Sequence, residues 1–138
     1  MSYAGDITPK QAWDLLRDNP NAVLVDVRTE AEWRFVGVPD TSPIGRPTAL
    51  IEWVDVTGAR NIRFEDQLKQ ALADRDEDAP VIFICRSGQR SIGAATTATA
   101  LGVTPSFNVV EGFEGALDAQ GHRGGSGWRA EGLPWRQS

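Results

Sequence analysis

A run of four apolar residues, Val81 to Ile84, constrains the fold more than any other feature of the sequence. It follows Pro80 and ends at a cysteine, and such a short run between turn residues is typical of a strand buried in a parallel sheet. Residues 23–27 (Val-Leu-Val-Asp-Val) have the same pattern, and residues 106–110 are predicted to form the last strand. The sequence therefore predicts a sheet whose strands are mostly buried.

Helical patterns separate these strands. Thr8 followed by Pro9 is typical of a helix N-terminus, and apolar residues at helical spacing continue until Asn19-Pro20-Asn21. Four further segments are predicted to be helical: 29–34, 64–72, 91–101 and 112–117. Because strands alternate with helices along the chain, we expect an α/β fold with a mainly parallel sheet.

The chain of 138 residues has the length of one domain of ordinary size. We expect a single domain over residues 1–138, in which residues 120–138 form a tail with Gly and Trp residues that packs on the body, held by Trp128 and Trp135. Residues 36–49 are rich in proline and glycine and are predicted to form a surface loop. Residues 50–56 are predicted to form a further strand.

The chain has one cysteine, Cys85, and one histidine, His122. A single cysteine forms no disulfide within the chain, and the usual zinc ligands are too few, so we expect no metal and no cofactor. The net charge of −5 argues against nucleic acids and anionic membranes as partners, because both bind basic surfaces. The sequence shows no signal peptide pattern and no apolar run of membrane-spanning length, so we expect a cytoplasmic protein.

Residues 85–91 (Cys-Arg-Ser-Gly-Gln-Arg-Ser) lie between a predicted strand and a predicted helix. Sites in open α/β sheets form at the carboxyl ends of strands, and a loop that enters a helix presents unpaired backbone N–H groups that bind anions. Gly88 permits a tight backbone turn, and Arg86 and Arg90 add positive charge. These surroundings favour a thiolate, so Cys85 is predicted to be a nucleophile. The alternative is a buried structural cysteine.

This segment resembles the active-site loop of rhodanese-like sulfurtransferases. Asp26-Val27-Arg28 with the downstream pair Glu32-Trp33, residues 109–113 (Val-Val-Glu-Gly-Phe) and residues 132–135 (Gly-Leu-Pro-Trp) resemble other segments of that family, in the same order. One segment departs from the family. Where the family usually has Gly-His-Ile-Pro-Gly-Ala, this chain has Gly-Val-Pro-Asp at residues 37–40 and lacks the histidine.

The resemblance implies a rhodanese-like three-layer fold, in which a central, mainly parallel five-stranded sheet is flanked by helices. It also implies a sulfurtransferase of the thiosulfate type. The Cys85 thiolate would take a sulfane sulfur from thiosulfate or a related anion as a persulfide. Cyanide, a thiol or a protein acceptor would then remove that sulfur.

The resemblance also implies the composition of the site. Cys85 is the nucleophile, and the substrate would be bound by Arg86, Ser87, Gly88, Gln89, Arg90 and Ser91. Arg86 is the first candidate for recognising the anionic donor and Arg90 the second. Asp26 is expected to accept N–H groups of the Cys85 loop, and Arg28 to pair with a carboxylate such as Glu32, so that both support the loop.

Other functions stay open at this point. Cysteine phosphatases use a similar thiolate loop, but their spacing is Cys-x5-Arg, whereas Cys85 and Arg90 give Cys-x4-Arg, a shorter loop that suits a single sulfur atom. Rhodanese-like domains also serve as protein-interaction or sulfur-carrier modules. An accessible thiolate is in addition easily oxidised, which is the property of a redox sensor.

Overall fold

A computed structural model of the chain describes residues 2–137. The strands among these residues are β1 Gly5–Ile7, β2 Val23–Asp26, β3 Val38–Pro39, β4 Ala49–Leu50, β5 Val81–Ile84, β6 Ser106–Val109 and β7 Trp135–Arg136. The α-helices are α1 Pro9–Asp18, α2 Glu30–Phe35, α3 Phe64–Ala71 and α4 Arg90–Ala100, and a 3₁₀ turn spans Ser42–Ile44.

Five strands form a parallel sheet in the order β1-β6-β5-β2-β4, and β3 and β7 form a separate antiparallel pair. The predicted α/β fold with a central five-stranded sheet is therefore confirmed. The register pairs Asp26 with Ile84 and Phe83 with Asn108. Because β5 lies between β2 and β6, the residues that follow these three strands meet at the carboxyl edge of the sheet.

The alternation of side chains along the strands divides the core into two layers. One layer joins Val25 and Phe83 to α3 and α4, including Phe64, Leu68, Ala94, Ala95 and Ala98. The other layer joins Leu24 and Ile82 to α1 and to the tail, including Leu16 and Trp128. Side chains on both faces of the sheet are therefore buried, one face under α3 and α4 and the other under α1 and the tail. The arrangement has three layers, with the sheet in the middle.

The first two helices begin with the same capping arrangement. The Thr8 side chain accepts the Gln11 N–H (3.1 Å), and the Gln11 side chain accepts the Thr8 N–H (2.9 Å). Thr29 and Glu32 repeat this exchange at the start of α2. Each box satisfies N–H groups that a helix start leaves unpaired. The second box also fixes the position of Glu32, which reaches the candidate site.

The structure corrects the sequence prediction in two segments. Residues 112–117, predicted to be a helix, are not helical: a turn covers residues 111–114, and residues 115–117 have no regular secondary structure. Glu111, Gly112 and Gly115 have positive φ angles of 72°, 62° and 80°, which a right-handed helix excludes. The strand predicted over 50–56 is limited to its start, Ala49–Leu50. Beyond it the chain turns at Asp55, whose carboxylate accepts the N–H groups of Thr57 and Ala59.

Four further elements were not predicted. The segment 36–49, expected to be a loop, contains β3 and the 3₁₀ turn, and neither β1 nor β7 was expected. Both β1 and β3 are short, and each takes its partner from a distant part of the chain, β6 and β7 respectively. Such strands carry little local pattern, because pairing rather than sequence periodicity defines them.

The tail packs on the face of the sheet that α1 covers. Trp128 is fully buried, its Nε1 donates to the Pro134 carbonyl oxygen (2.7 Å), and its ring meets Trp13 edge-on with the centroids 5.9 Å apart. Trp135 lies in β7 opposite Pro39. None of the helices in residues 2–137 has the length and apolar character that crossing a membrane requires.

We expect Trp128→Ala to lower the free energy of unfolding by about 3–5 kcal/mol, because it removes a large buried side chain and leaves a cavity. Urea unfolding followed by circular dichroism measures the change. Leu117→Ala is the matched control, since Leu117 is 58% exposed and its truncation should change little. Equal unfolding midpoints for the two variants would contradict the role of Trp128.

Candidate active site

Cys85 follows β5 directly, and the loop of residues 85–89 leads into α4. Gly88 has a φ of +93°, and a Cβ there would lie 3.2 Å from the Glu111 nitrogen and 3.3 Å from the Val109 oxygen. The loop therefore turns back against the end of β6 at a point where only glycine fits without strain. This turn directs the loop backbone toward the cysteine.

Three polar contacts surround the sulfur of Cys85, a residue that is only 1% exposed. Its Sγ accepts the N–H groups of Gly88 (3.2 Å) and Ser91 (3.4 Å). It also lies 3.1 Å from the Ser91 Oγ. Backbone N–H groups at the start of a helix stabilise negative charge, so the loop offers donors to charge that develops at this sulfur.

The outside of the loop is fixed by the turn that follows β6. The Phe113 N–H donates to the Cys85 carbonyl oxygen (2.8 Å), and the Glu114 N–H donates to that of Arg86 (2.9 Å). A Cβ at Gly112 would lie 2.5 Å from the Cys85 oxygen, so the two backbones approach each other closely. With these carbonyls bonded on the outside, the N–H groups of Gly88 and Ser91 face the sulfur.

Arg90 and Glu32 form a two-pronged ion pair beside the loop, with N–O distances of 2.7 and 2.9 Å. Their side chains are 24% and 20% exposed. Burial alone would raise the pKa of Glu32, but the hydrogen bonds from Arg90 and from the Thr29 N–H outweigh it and lower the pKa to about 2. Both terminal nitrogens of Arg90 are thus occupied by a carboxylate.

The other predicted substrate-binding residues lie on the outer part of the loop. Arg86 and Gln89 are exposed and Ser87 is half-buried. Within residues 2–137 the Arg86 guanidinium has no carboxylate partner. Of the two arginines predicted to recognise an anion, Arg86 is therefore the one whose charge is available.

Asp26 and Arg28 form a fully buried ion pair, which corrects two predictions. The Asp26 carboxylate accepts the Arg28 backbone N–H (3.1 Å) and side chain (2.6–3.1 Å) rather than N–H groups of the Cys85 loop. Arg28 accordingly pairs with Asp26 and not with Glu32. A buried charge needs a close partner, and the residue two positions away supplies one.

The buried pair nevertheless supports the loop, by a different route. The Arg28 Nη2 also donates to the Gly37 carbonyl oxygen (2.7 Å), and the guanidinium lies 4.4 Å from the centre of the Phe113 ring. Phe113 is the residue whose N–H binds the Cys85 carbonyl oxygen. The pair therefore packs against the turn that holds the nucleophile.

Sequence reasoning missed Asn108 and Asp6. The Ser91 hydroxyl donates to the Asn108 Oδ1, and the Asn108 Nδ2 lies 3.0 Å from the Asp6 Oδ1. A polar residue inside the predicted last strand was the available signal, because a buried amide needs partners. Across residues 2–137, no three His, Cys, Asp or Glu side chains come together as a metal site requires.

We expect the Arg90–Glu32 pair to make stability depend on acidic pH. Because the folded pKa of Glu32 lies below its ordinary value of 4.5, the pair stabilises the fold above pH 4.5, and this contribution is lost as the pH falls through about 2. Glu32→Gln should therefore be less stable than the wild type at pH 7 by roughly 1–2 kcal/mol. The difference should shrink toward zero near pH 2.

Urea unfolding at several pH values measures this difference. Glu30→Gln is the control on the same helix, because Glu30 forms an exposed ion pair with Arg34. A gap between wild type and Glu32→Gln that stays constant from pH 7 to pH 2 would show that Glu32 does not titrate as the geometry requires.

Comparison with known proteins agrees with the fold. The structure of Rv0390 from M. tuberculosis is 63% identical and superposes with a TM-score of 0.91, covering 99% of this chain and 100% of that one. A rhodanese-like domain protein from Staphylococcus aureus, 21% identical, has the same fold with a TM-score of 0.55 over 94% of this chain and 96% of its own. The predicted three-layer fold is therefore confirmed.

Sequence relatives give the family. Protein RC0915 of Rickettsia conorii is 35% identical over 131 residues, which are 95% of this chain and 96% of that protein. Thiosulfate sulfurtransferase GlpE of Haemophilus influenzae is 29% identical over 120 residues, 87% of this chain and 93% of its own. The model of the rhodanese-like domain matches residues 8–119. Since that match covers most of the chain, the chain belongs to the rhodanese-like domain family.

Proposed function

We propose that the protein is a sulfurtransferase that moves a sulfane sulfur from thiosulfate or a related donor to a thiophilic acceptor through a persulfide on Cys85. One observation carries the proposal: the N–H groups of Gly88 and Ser91 point at the Cys85 Sγ from a loop with only four residues between Cys85 and Arg90. Membership in the rhodanese-like family and the distant relation to GlpE agree with this reaction class.

The reaction proceeds in two balanced steps. The Cys85 thiolate attacks the outer sulfur of thiosulfate, the S–S bond of the donor breaks, and sulfite leaves with the bonding electron pair. The negative charge then lies on the terminal sulfur of the persulfide. In the second step cyanide or an acceptor thiolate attacks that terminal sulfur, and the Cys85 thiolate leaves.

The loop assists both steps by holding negative charge. The thiolate, the persulfide and the donor are all anions, and the backbone N–H groups of residues 86–91 provide donors at the start of α4. Arg86 attracts the anionic donor, because its guanidinium is exposed and has no carboxylate partner within residues 2–137. Arg90, whose terminal nitrogens bind Glu32, keeps the first turn of α4 in place.

The alternatives have less support. A phosphatase needs a longer loop and an arginine that faces the phosphate, whereas Arg90 faces Glu32. A sulfur-carrier module would form the same persulfide and differ only in requiring a protein acceptor. The proposed chemistry suits the cytoplasm, where a single thiol stays reduced.

Incubation with thiosulfate should add the mass of one sulfur atom to the protein. Intact-mass spectrometry measures the gain, and peptide mapping should place it on Cys85. Cyanide should remove the added mass and form thiocyanate in equal amount. Cys85→Ser should show neither, because the serine hydroxyl is not ionised and forms no persulfide.

The outcome also separates the alternatives. A persulfide that cyanide does not remove, but a protein thiol does, would assign a carrier role. Absence of the mass gain with every sulfane donor, or steady hydrolysis of an aryl phosphate that Cys85→Ser abolishes, would overturn the proposal.

We expect Arg86→Ala to raise the KM for thiosulfate roughly tenfold while kcat changes less, because a charge-assisted contact to the donor is lost. Thiocyanate formation at varied thiosulfate concentration separates the two constants. Arg86→Lys should recover part of the loss, since it restores the charge without the planar fork. Arg63→Ala is the matched control on another exposed arginine, and an equal effect there would argue against a specific role for Arg86.

A further inference from the structure

A chain of polar side chains leads from the surface to the sulfur of Cys85. The Ser91 Oγ lies 3.1 Å from the Sγ and hydrogen-bonds the Asn108 Oδ1. The Asn108 Nδ2 lies 3.0 Å from the Asp6 Oδ1 and 3.3 Å from the Gly88 carbonyl oxygen. Ser91 and Asn108 are at most 1% exposed, whereas Asp6 is exposed. The mechanism described above makes no use of Asn108 or Asp6.

The partners of Asn108 determine the direction of every hydrogen bond in this chain. The Gly88 carbonyl oxygen only accepts, and so does the Asp6 carboxylate, whose pKa is lowered by the hydrogen bonds from Asn108 and Tyr3. The atom of Asn108 that faces both must therefore be the amide nitrogen. Its oxygen then faces Ser91, and because an amide oxygen only accepts, the Ser91 hydroxyl must donate to it.

The direction of the Ser91–Asn108 hydrogen bond determines what the Ser91 oxygen offers to the cysteine. A serine hydroxyl has one hydrogen, so while Ser91 donates to Asn108 its oxygen presents only lone pairs to the Cys85 Sγ. The contact of 3.1 Å is then favourable only if the sulfur carries a proton and donates it. A thiolate would face those lone pairs, and the Ser91 hydroxyl would have to turn from Asn108 to the sulfur, leaving the buried Asn108 Oδ1 without a donor.

We propose that Asn108, anchored by Asp6, is a positioning residue that competes with the Cys85 sulfur for the single hydroxyl hydrogen of Ser91 and so holds the resting cysteine as a thiol. Activation releases the Sγ proton to solvent and turns the Ser91 hydroxyl toward the thiolate. Once the persulfide forms, the charge moves to the terminal sulfur, and the Ser91 hydroxyl donates to Asn108 again. This last step rests on the proposed function, whereas the competition in the resting protein does not.

The charged groups around Cys85 lie outside the chain that links Asn108, Ser91 and the sulfur, apart from Asp6. Arg90 on α4 is paired with Glu32 on α2, and Asp26, after which β2 ends, is paired with Arg28. Arg86 is the next residue in the loop, and the Asp6 carboxylate on β1 faces the sulfur only through Asn108 and Ser91. A substitution of Asn108 leaves these charges in place, so its effect reports on the Ser91 hydroxyl.

The pH dependence of iodoacetamide alkylation tests the proposal, because only the thiolate reacts. We expect Asn108→Leu, which removes the acceptor at similar volume, to lower the pH midpoint of alkylation by about one unit. In a Ser91→Ala background the same substitution should not shift the midpoint. The midpoint is compared rather than the rate, since the plateau rate reports access to a buried sulfur.

Asp6 offers a second test at an exposed position, where substitution does not open the core. Asp6→Ala loosens the anchor of Asn108 and should lower the midpoint by a smaller amount, because the Gly88 oxygen still holds the amide. Asp6→Asn keeps an acceptor and should behave as the wild type. If Asn108→Leu does not fold, as judged by circular dichroism, the midpoints of Asp6→Ala and Asp6→Asn alone test the proposal.

An unchanged or raised midpoint in Asn108→Leu, or an equal shift in the Ser91→Ala background, would overturn the proposal, and so would a wild-type midpoint in Asp6→Ala. Alkylation needs no sulfur donor, so these outcomes do not depend on sulfurtransferase activity. Conversely, failure of the thiosulfate mass gain would overturn the proposed function and leave the alkylation result standing.

Discussion

The buried ion pair between Asp26 and Arg28 is the contact on which the rest of the site depends. Both side chains are fully buried, and removing either partner of such a pair typically costs about 3–5 kcal/mol, because the remaining charge stays desolvated. Arg28 binds the Gly37 carbonyl oxygen and lies over the Phe113 ring, so one guanidinium joins the end of β2, the start of β3 and the turn after β6. The Cys85 loop is built on that turn.

The proposed reaction requires the site to stabilise negative charge within a protein of net charge −5, and the local geometry provides donors for it. Arg28 is neutralised by Asp26 and Arg90 by Glu32. The N–H donors at the sulfur are therefore the backbone groups of Gly88 and Ser91, and Arg86 is the neighbouring arginine without a carboxylate partner in residues 2–137. Dipoles that are fixed in place need no reorganisation when charge arrives. The hydrogen bonds that hold the carbonyls of Cys85 and Arg86 on the outside of the loop fix its backbone dipoles in this way.

The features that could be predicted from the sequence have a local cause. Most of those that could not be predicted depend on contacts between distant parts of the chain. The caps at Thr8 and Thr29, the buried run of β5 and the position of Cys85 all follow from patterns within a few residues. The contacts of Asn108 with Ser91 and Asp6 depend on which strands lie side by side, which a local pattern does not show. The pairing of Arg28 with Asp26 is local, but the sequence does not show that both side chains are fully buried and therefore bind each other. Residues 112–117 were predicted to be helical because the positive φ of Glu111, which lies in the turn after β6, cannot be read from the sequence.

The segment that departs from the family pattern, residues 37–40, has a structural task here. Gly37 accepts from Arg28, and a Cβ at Gly37 would lie 2.9 Å from the Trp135 ring, so the tail strand β7 closes directly over it. Its φ of +114° is one that glycine alone adopts easily. In this chain β7 of the tail pairs with β3, the Gly37 oxygen just before β3 accepts from Arg28, and Arg28 packs on the turn that holds Cys85. The contacts that link this segment to the nucleophile thus run through backbone and tail atoms, and residues 37–40 contribute to them without a histidine.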